Sequence, residues 1–171
     1  MFRSIGILIF ALLGSLPLAM TVQAANEISA QEFVSSAAAS GMAEVKAGEL
    51  ALQKGTSLKV KEFAQMMVTE HAAANRQLTS LALKRKIRLP EAPALMAQAK
   101  QKILELRGER SFDRAYANNQ VVAHKASVAL FHRAANSEDE DIRAFAIQTL
   151  PQLEQHLRLA EDLAVDVGAT R

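Results

Sequence analysis

The chain has 171 residues, half of them apolar, with 20 basic and 18 acidic side chains, no cysteine, no tryptophan and one tyrosine. A net charge of +2 gives no reason to expect nucleic acid or an anionic membrane surface as the main partner. The lack of cysteine excludes a disulfide framework, a thiolate metal ligand and a lipid-attachment cysteine.

Residues 1–24, MFRSIGILIFALLGSLPLAMTVQA, have the layout of a secretory signal peptide: Arg3, an apolar run from Ile5 to Leu18 and a small-residue exit at Val22-Gln23-Ala24. The run is broken by Gly14 and Pro17 and falls short of the ~20 residues that a membrane span needs. Cleavage after Ala24 removes Arg3 and no acid, so the net charge drops to +1. Residues 25–171 are expected to form one soluble domain, exported to the periplasm, with no transmembrane segment. Its Ala- and Leu-rich composition suits close-packed helices, and no stretch alternates with period two.

The first long helix is predicted from Ala30 to Lys54. Ser29 and Glu32 form a capping box, and Gly55 supplies the stop. Its apolar arc holds Phe33, Val34, Ala37, Gly41, Val45, Gly48, Ala51 and Leu52, with Glu44 among them. The small-residue run SSAAASG invites close approach of a neighbouring backbone, within the domain or in a homodimer. Ser57 caps the second helix after a very short turn, which makes an antiparallel hairpin. In that helix Val60, Phe63, Ala64, Met67, Ala74, Leu78, Leu81 and Ala82 share one arc, and His71 lies near its centre. The terminal Lys84, Arg85, Lys86 and Arg88 suit the C-terminal dipole.

A break at Leu89-Pro90-Glu91-Ala92-Pro93 leads to a short helix from about Ala94 to Leu106, closed by Gly108. The next long helix is predicted from Ser111 to about Ala135. Phe112, Tyr116, Ala123, Ser127, Leu130, Phe131 and Ala134 lie on its inner side, His124 on the flank in line with Asp113 and Gln120, and His132 outward. The last helix opens with a capping box of Ser137 and Glu140, and its inner arc includes Phe145, Thr149, Leu153, His156 and Leu163. Pro151 interrupts it just before His156. Phe63-Ala64 ahead of His71 recurs as Phe145-Ala146 ahead of His156, which suggests a duplicated hairpin closing into a four-helix bundle.

Each long helix thus puts one ionisable residue on its inner side: Glu44, His71, His124 and His156. At about 1.5 Å per residue, Glu44 and His71 lie roughly 17 and 23 Å from the first hairpin turn, and His124 and His156 roughly 20 and 28 Å from the second. All four therefore fall near mid-height of helices about 40 Å long. One carboxylate and three imidazoles could hold a single transition metal ion, Zn, Cu, Fe or Mn. They could equally form a hydrogen-bonded polar core completed by Tyr116, Asn75 or Asp113, and the polar core is the leading reading. Glu70 and Glu154 are expected to point away from the inner arc. Met42, Met66 and Met67 offer soft copper ligands but read as core filler.

The stretches Phe33-Val34 through Gly41-Met42-Ala43-Glu44-Val45, Val60-Lys61-Glu62-Phe63-Ala64 to Glu70-His71, Phe112-Asp113-Arg114-Ala115-Tyr116, His124, and Thr149-Leu150-Pro151 to His156 resemble the exported bacterial proteins of the domain of unknown function 4142 family. The resemblance implies a ferritin-like four-helix bundle of two hairpins, with the short helix in their connection. It brings no activity with it. Di-iron ferritins need a Glu-x-x-His pair on each of two helices. Here Val68 stands three residues before His71 and Leu153 three before His156, so no ferroxidase activity is expected. The leading expectation is a non-enzymatic envelope protein with a role in homeostasis or stress and a protein partner of unknown kind. The alternative is a periplasmic metal-binding protein, and a metalloenzyme comes last.

Overall fold

The computed structural model describes residues 28–169, apart from the Arg110 side chain. The expected signal peptide, residues 1–24, lies outside the described residues. Regular structure within them is helical: α1 (Ala30–Lys54), α2 (Leu58–Arg85), α3 (Leu95–Glu105), α4 (Glu109–Ala134) and α5 (Glu140–Asp166). No helix among the described residues is long and apolar enough to cross a membrane.

The bounds follow the predicted caps with four corrections. Ser29 Oγ does accept from Glu32 N at 3.2 Å, which starts α1. Gly55 ends it in an extended conformation (φ −61°), not the left-handed one. Glycine is needed there for space, because a Cβ would lie 2.6 Å from the Ala51 carbonyl oxygen. Ser57 makes no side-chain cap to α2. Asp113 of α4 takes that role across the hairpins: its carboxylate accepts from Thr56 Oγ1 at 2.7 Å and from Ser57 N at 2.8 Å. The cap of α5 is Asp139, which accepts from the backbone N–H groups of Asp141 and Ile142, and not Ser137, whose hydroxyl accepts from Asp139 N. Gly108 precedes α4 as its N-cap instead of closing α3. Pro151 is exposed on the outer face of α5, and the helix continues through it.

α1 packs on α2 and α4 on α5, while thinner seams join α1 to α4 and α2 to α5. α3 lies on α1 and α4. Lys54 of α1 donates to the Glu105 carbonyl at the end of α3. Along the α1–α2 contact, Gly48 replaces a side chain with near backbone contact: a Cβ there would lie 2.8 Å from Val68 Cγ2 and 3.0 Å from the Ala64 carbonyl oxygen. The small-residue face of α1 is therefore used inside the molecule. At the far end, Lys84 pairs with Asp141 at 2.7 Å and Arg85 with Asp139. The basic end of α2 thus meets the acidic start of α5, where each alone suits its helix dipole.

The apolar core falls into two clusters. One gathers Phe33, Leu78, Phe131, Ile142 and Phe145 from the α1 start, α2 end, α4 end and α5 start. The other gathers Ala51, Phe63, Met67, Phe112, Tyr116 and Leu163 from the opposite ends of the same helices. Buried polar residues, Glu44, His71, Gln120, His124 and His156, come from the middle of each long helix.

Two stability changes follow from these contacts. Asp113→Ala leaves three donors at the start of α2 unpartnered and should cost about 1–2 kcal/mol in chemical unfolding; unchanged stability would refute a cap shared between hairpins. Gly48→Ala should lower stability by about 1 kcal/mol or more, because overpacking against backbone outweighs the gain of about 1 kcal/mol in helix propensity. Gly108→Ala, with nothing within 4 Å of the added Cβ, meets no overpacking and should lose only its N-cap preference, about 0.5 kcal/mol, which makes it the control for overpacking.

Candidate metal centre

Three of the four predicted residues meet. His71, His124 and His156 each offer a ring nitrogen, and these nitrogens lie within 4.8 Å of one another. All three side chains are buried, and their ring centroids form a triangle of 5.5, 5.2 and 5.4 Å.

The tautomers follow from the partners. His124 Nδ1 lies 2.9 Å from the Gln120 carbonyl oxygen one turn earlier. A carbonyl only accepts, so Nδ1 carries the hydrogen and Nε2 keeps its lone pair. That Nε2 is 3.3 Å from His71 Nε2. On the third ring, His156 Nε2 donates to Glu70 Oε2 at 2.7 Å, and Gln152 Nε2 donates to the same oxygen. His156 Nδ1 is then a buried lone pair with no hydrogen-bond partner.

Burial pushes His71 down to about 3, helped by the two neighbouring imidazoles. Burial likewise pushes His124 down to about 4 against its bond to Gln120. His156 is lowered by burial and partly restored by Glu70. All three are neutral near pH 7, the form that binds metal.

Glu44 is not one of the three. It lies about 40–60° around α1 from the line of Gly41 and Gly48 that faces α2. Its carboxyl lines a cavity beside Asn119, Ala123 and Ser127 of α4 instead. Burial pushes it up to about 7, opposed by the nearby Gln120 carboxamide and by Lys100. Neither polar atom of Gln120 closes a hydrogen bond, and Glu44 Oε2 and the Tyr116 hydroxyl are also without partners. Burial, and next the Glu44 charge, raise the Tyr116 phenol.

Other candidates lie elsewhere. Asp113 is at the start of α2. Asn75 sits over Gly41, lining a small cavity with His71. Met67 is buried in one apolar cluster, with Met66 packed against that cluster. His132 is exposed and 3.4 Å from Glu154.

Glu70 corrects the sequence reading. Expected to face away, it bends from the edge of the α2 apolar arc across the seam to α5. A carboxylate next in sequence to His71 was the only local signal. Its partners, Gln152 and His156, are named by tertiary pairing alone.

The donor set could hold one metal ion, and one of its spacings already matches. Zinc–nitrogen bonds of about 2.0–2.1 Å at a tetrahedral angle place two nitrogens about 3.3–3.4 Å apart, near the observed His71–His124 spacing. His124 Nδ1 and His156 Nε2 are held by a carbonyl and a carboxylate, the usual outer partners of metal-bound imidazole.

A family model described as Domain of unknown function (DUF4142) matches residues 15–163. Neither the curated proteins nor the solved structures give a match.

The protonation states fix the pH response. Below about pH 6.5 the unfolded chain binds protons at three histidines that stay neutral when folded, so stability falls with acidification toward the folded values of about 3 and 4. Glu44 acts oppositely: folded, it keeps its proton up to about 7, against 4.5 unfolded, so its contribution is lost as pH rises through that window. Three groups outweigh one, and the thermal midpoint should drop between pH 6.5 and 4.5. Glu44→Gln should steepen that drop and add on the order of 3 kcal/mol above pH 7. A flat midpoint from pH 5 to 8 would contradict burial of the cluster.

Proposed function

The chain belongs to the DUF4142 family, and on that premise we propose that it is an exported metal-binding protein of ferritin-like four-helix form, working in the periplasm to store, buffer or sense one transition metal ion. The observation that carries this reading is the buried His156 Nδ1, a lone pair with no protein partner on the ring whose other nitrogen Glu70 holds. A polar core built only for structure would be expected to satisfy that atom, since leaving it bare costs about 1–3 kcal/mol. The orphaned nitrogen therefore favours metal over the polar core that the sequence alone put first.

The ligands in this reading are His71, His124 and His156, with a fourth position free. Three imidazoles suit zinc, copper or iron(II), and with Glu44 outside the group manganese loses its carboxylate. Glu70 bonds to one of the histidines, and among the described residues no carboxylate joins the three-histidine group, which supports a mononuclear site over a ferritin di-iron one. The ring of contacts between four long helices supports the ferritin-like arrangement, and the layout of residues 1–24 supports export. A role in envelope homeostasis or stress fits such a protein without requiring catalysis.

Metal analysis of the full chain isolated from its own envelope, without chelator, tests the reading. About one equivalent of zinc, copper or iron is expected in wild type and little in His71→Ala, whose fold is checked by circular dichroism. Well below one equivalent in both proteins refutes it.

A further inference from the structure

Outside the three-histidine group, four of the five buried polar atoms without partners among the described residues belong to one patch: Glu44 Oε2, the Tyr116 hydroxyl, and both polar atoms of the Gln120 amide. Glu44 comes from α1 and the other two from successive turns of α4, one turn before His124. Left bare, such groups weaken a core that apolar side chains would fill better. The patch is not sealed. Glu44 lines a cavity of about 230 Å³ between α1, α3 and α4, whose outer wall includes the exposed Lys100 of α3.

A smaller cavity of about 30 Å³ shares two of that cavity's lining residues, Ser40 and Ser127, and touches His71 and Asn75. A space of that size holds a water molecule or one small ion. Glu44, Ser40 and Ser127 thus lie between the surface under α3 and a small cavity that touches His71. On the opposite side a groove of about 250 Å³ between α2 and α5 reaches Glu70. Glu70 is already bonded to His156 and Gln152 there.

We propose that Glu44 is the transit ligand for a hydrated divalent cation, drawn into the α1–α3–α4 cavity, handed past Ser40 and Ser127, and delivered to His71, His124 and His156. The proposal rests on the metal-binding reading above and adds the route. A carboxylate replaces one water of the incoming ion, and the Asn119 amide and the two serines that line the cavities with it are there to bond its remaining waters. Lys100 faces the same carboxylate and competes with the cation for it. A transit ligand lowers the barrier for loading and for release alike, so it changes rates and leaves the final affinity unaltered.

The test mixes metal-free full-length protein with cobalt(II) and follows visible absorbance in a stopped-flow instrument, with zinc competition giving the affinity. Glu44→Gln should load roughly tenfold or more slowly, and Lys100→Gln several-fold faster, the range expected when one charge lining a cleft is changed. Saturation should stay at one equivalent, with affinity within about twofold of wild type. Loading of Glu44→Gln at the wild-type rate overturns the route. A matching fall in affinity or stoichiometry of Glu44→Gln makes Glu44 a resident ligand and overturns transit. Failure of wild type to take up cobalt at all refutes the metal centre itself, a separate result from a fast-loading Glu44→Gln protein. The Lys100 variant changes only an exposed residue, so the route stays testable if Glu44→Gln folds poorly.

Discussion

The constraint on which the rest depends is a layer of polar side chains across the middle of a helical core. Two apolar clusters lie at its ends, and between them each long helix inserts ionisable or amide groups. Such groups must be paired or kept neutral in a medium that solvates charge poorly. The imidazoles stay neutral, Glu44 is pushed toward its protonated form, and two imidazole hydrogens go to acceptors outside the triangle, the Gln120 carbonyl and Glu70. What remains are the His124 Nε2 lone pair, 3.3 Å from His71 Nε2, and the unpartnered His156 Nδ1, the kind of donor atom that a metal ion requires.

Meeting at that layer demands register. A slip of one helical turn is about 5.4 Å, more than the whole 4.8 Å spread of the three nitrogens. Several contacts oppose such a slip. Asp113 ties the start of α2 to α4. The basic end of α2 meets the acidic start of α5. Close contact at Gly48 fixes α1 against α2. The exposed ion pairs add little stability of their own; their value is in specifying alignment, while the apolar clusters supply most of the stabilisation.

Ferritin chemistry depends on carboxylates that bridge two irons, and neither His71 nor His156 belongs to a Glu-x-x-His pair. The positions three residues before His71 and His156 are Val68 and Leu153. The carboxylates that do approach, Glu70 and Glu44, stand to either side of the histidines: one fixes a tautomer, the other lines the cavity under α3. α3 therefore has a consequence beyond connecting two hairpins, since it forms one wall of the cavity that Glu44 lines.

The amino-acid sequence by itself determined the helices, their bounds to within two or three residues, and the inward positions of His71, His124 and His156, because helical periodicity is a local property. It also carried the family resemblance. It misplaced the caps at Ser57 and Ser137, since a closer or better acceptor elsewhere wins, and for Ser57 that acceptor is 56 residues away. It read Glu70 as outward because a face is assigned from the Cα direction, whereas a long side chain at the arc's edge reaches whatever the neighbouring helix presents. It grouped Glu44 with the histidines because equal height along a bundle is legible from rise per residue. Azimuth between two packed helices is not. Only the tertiary structure decided that rotation, and with it which residues converge and which lone pair is left bare.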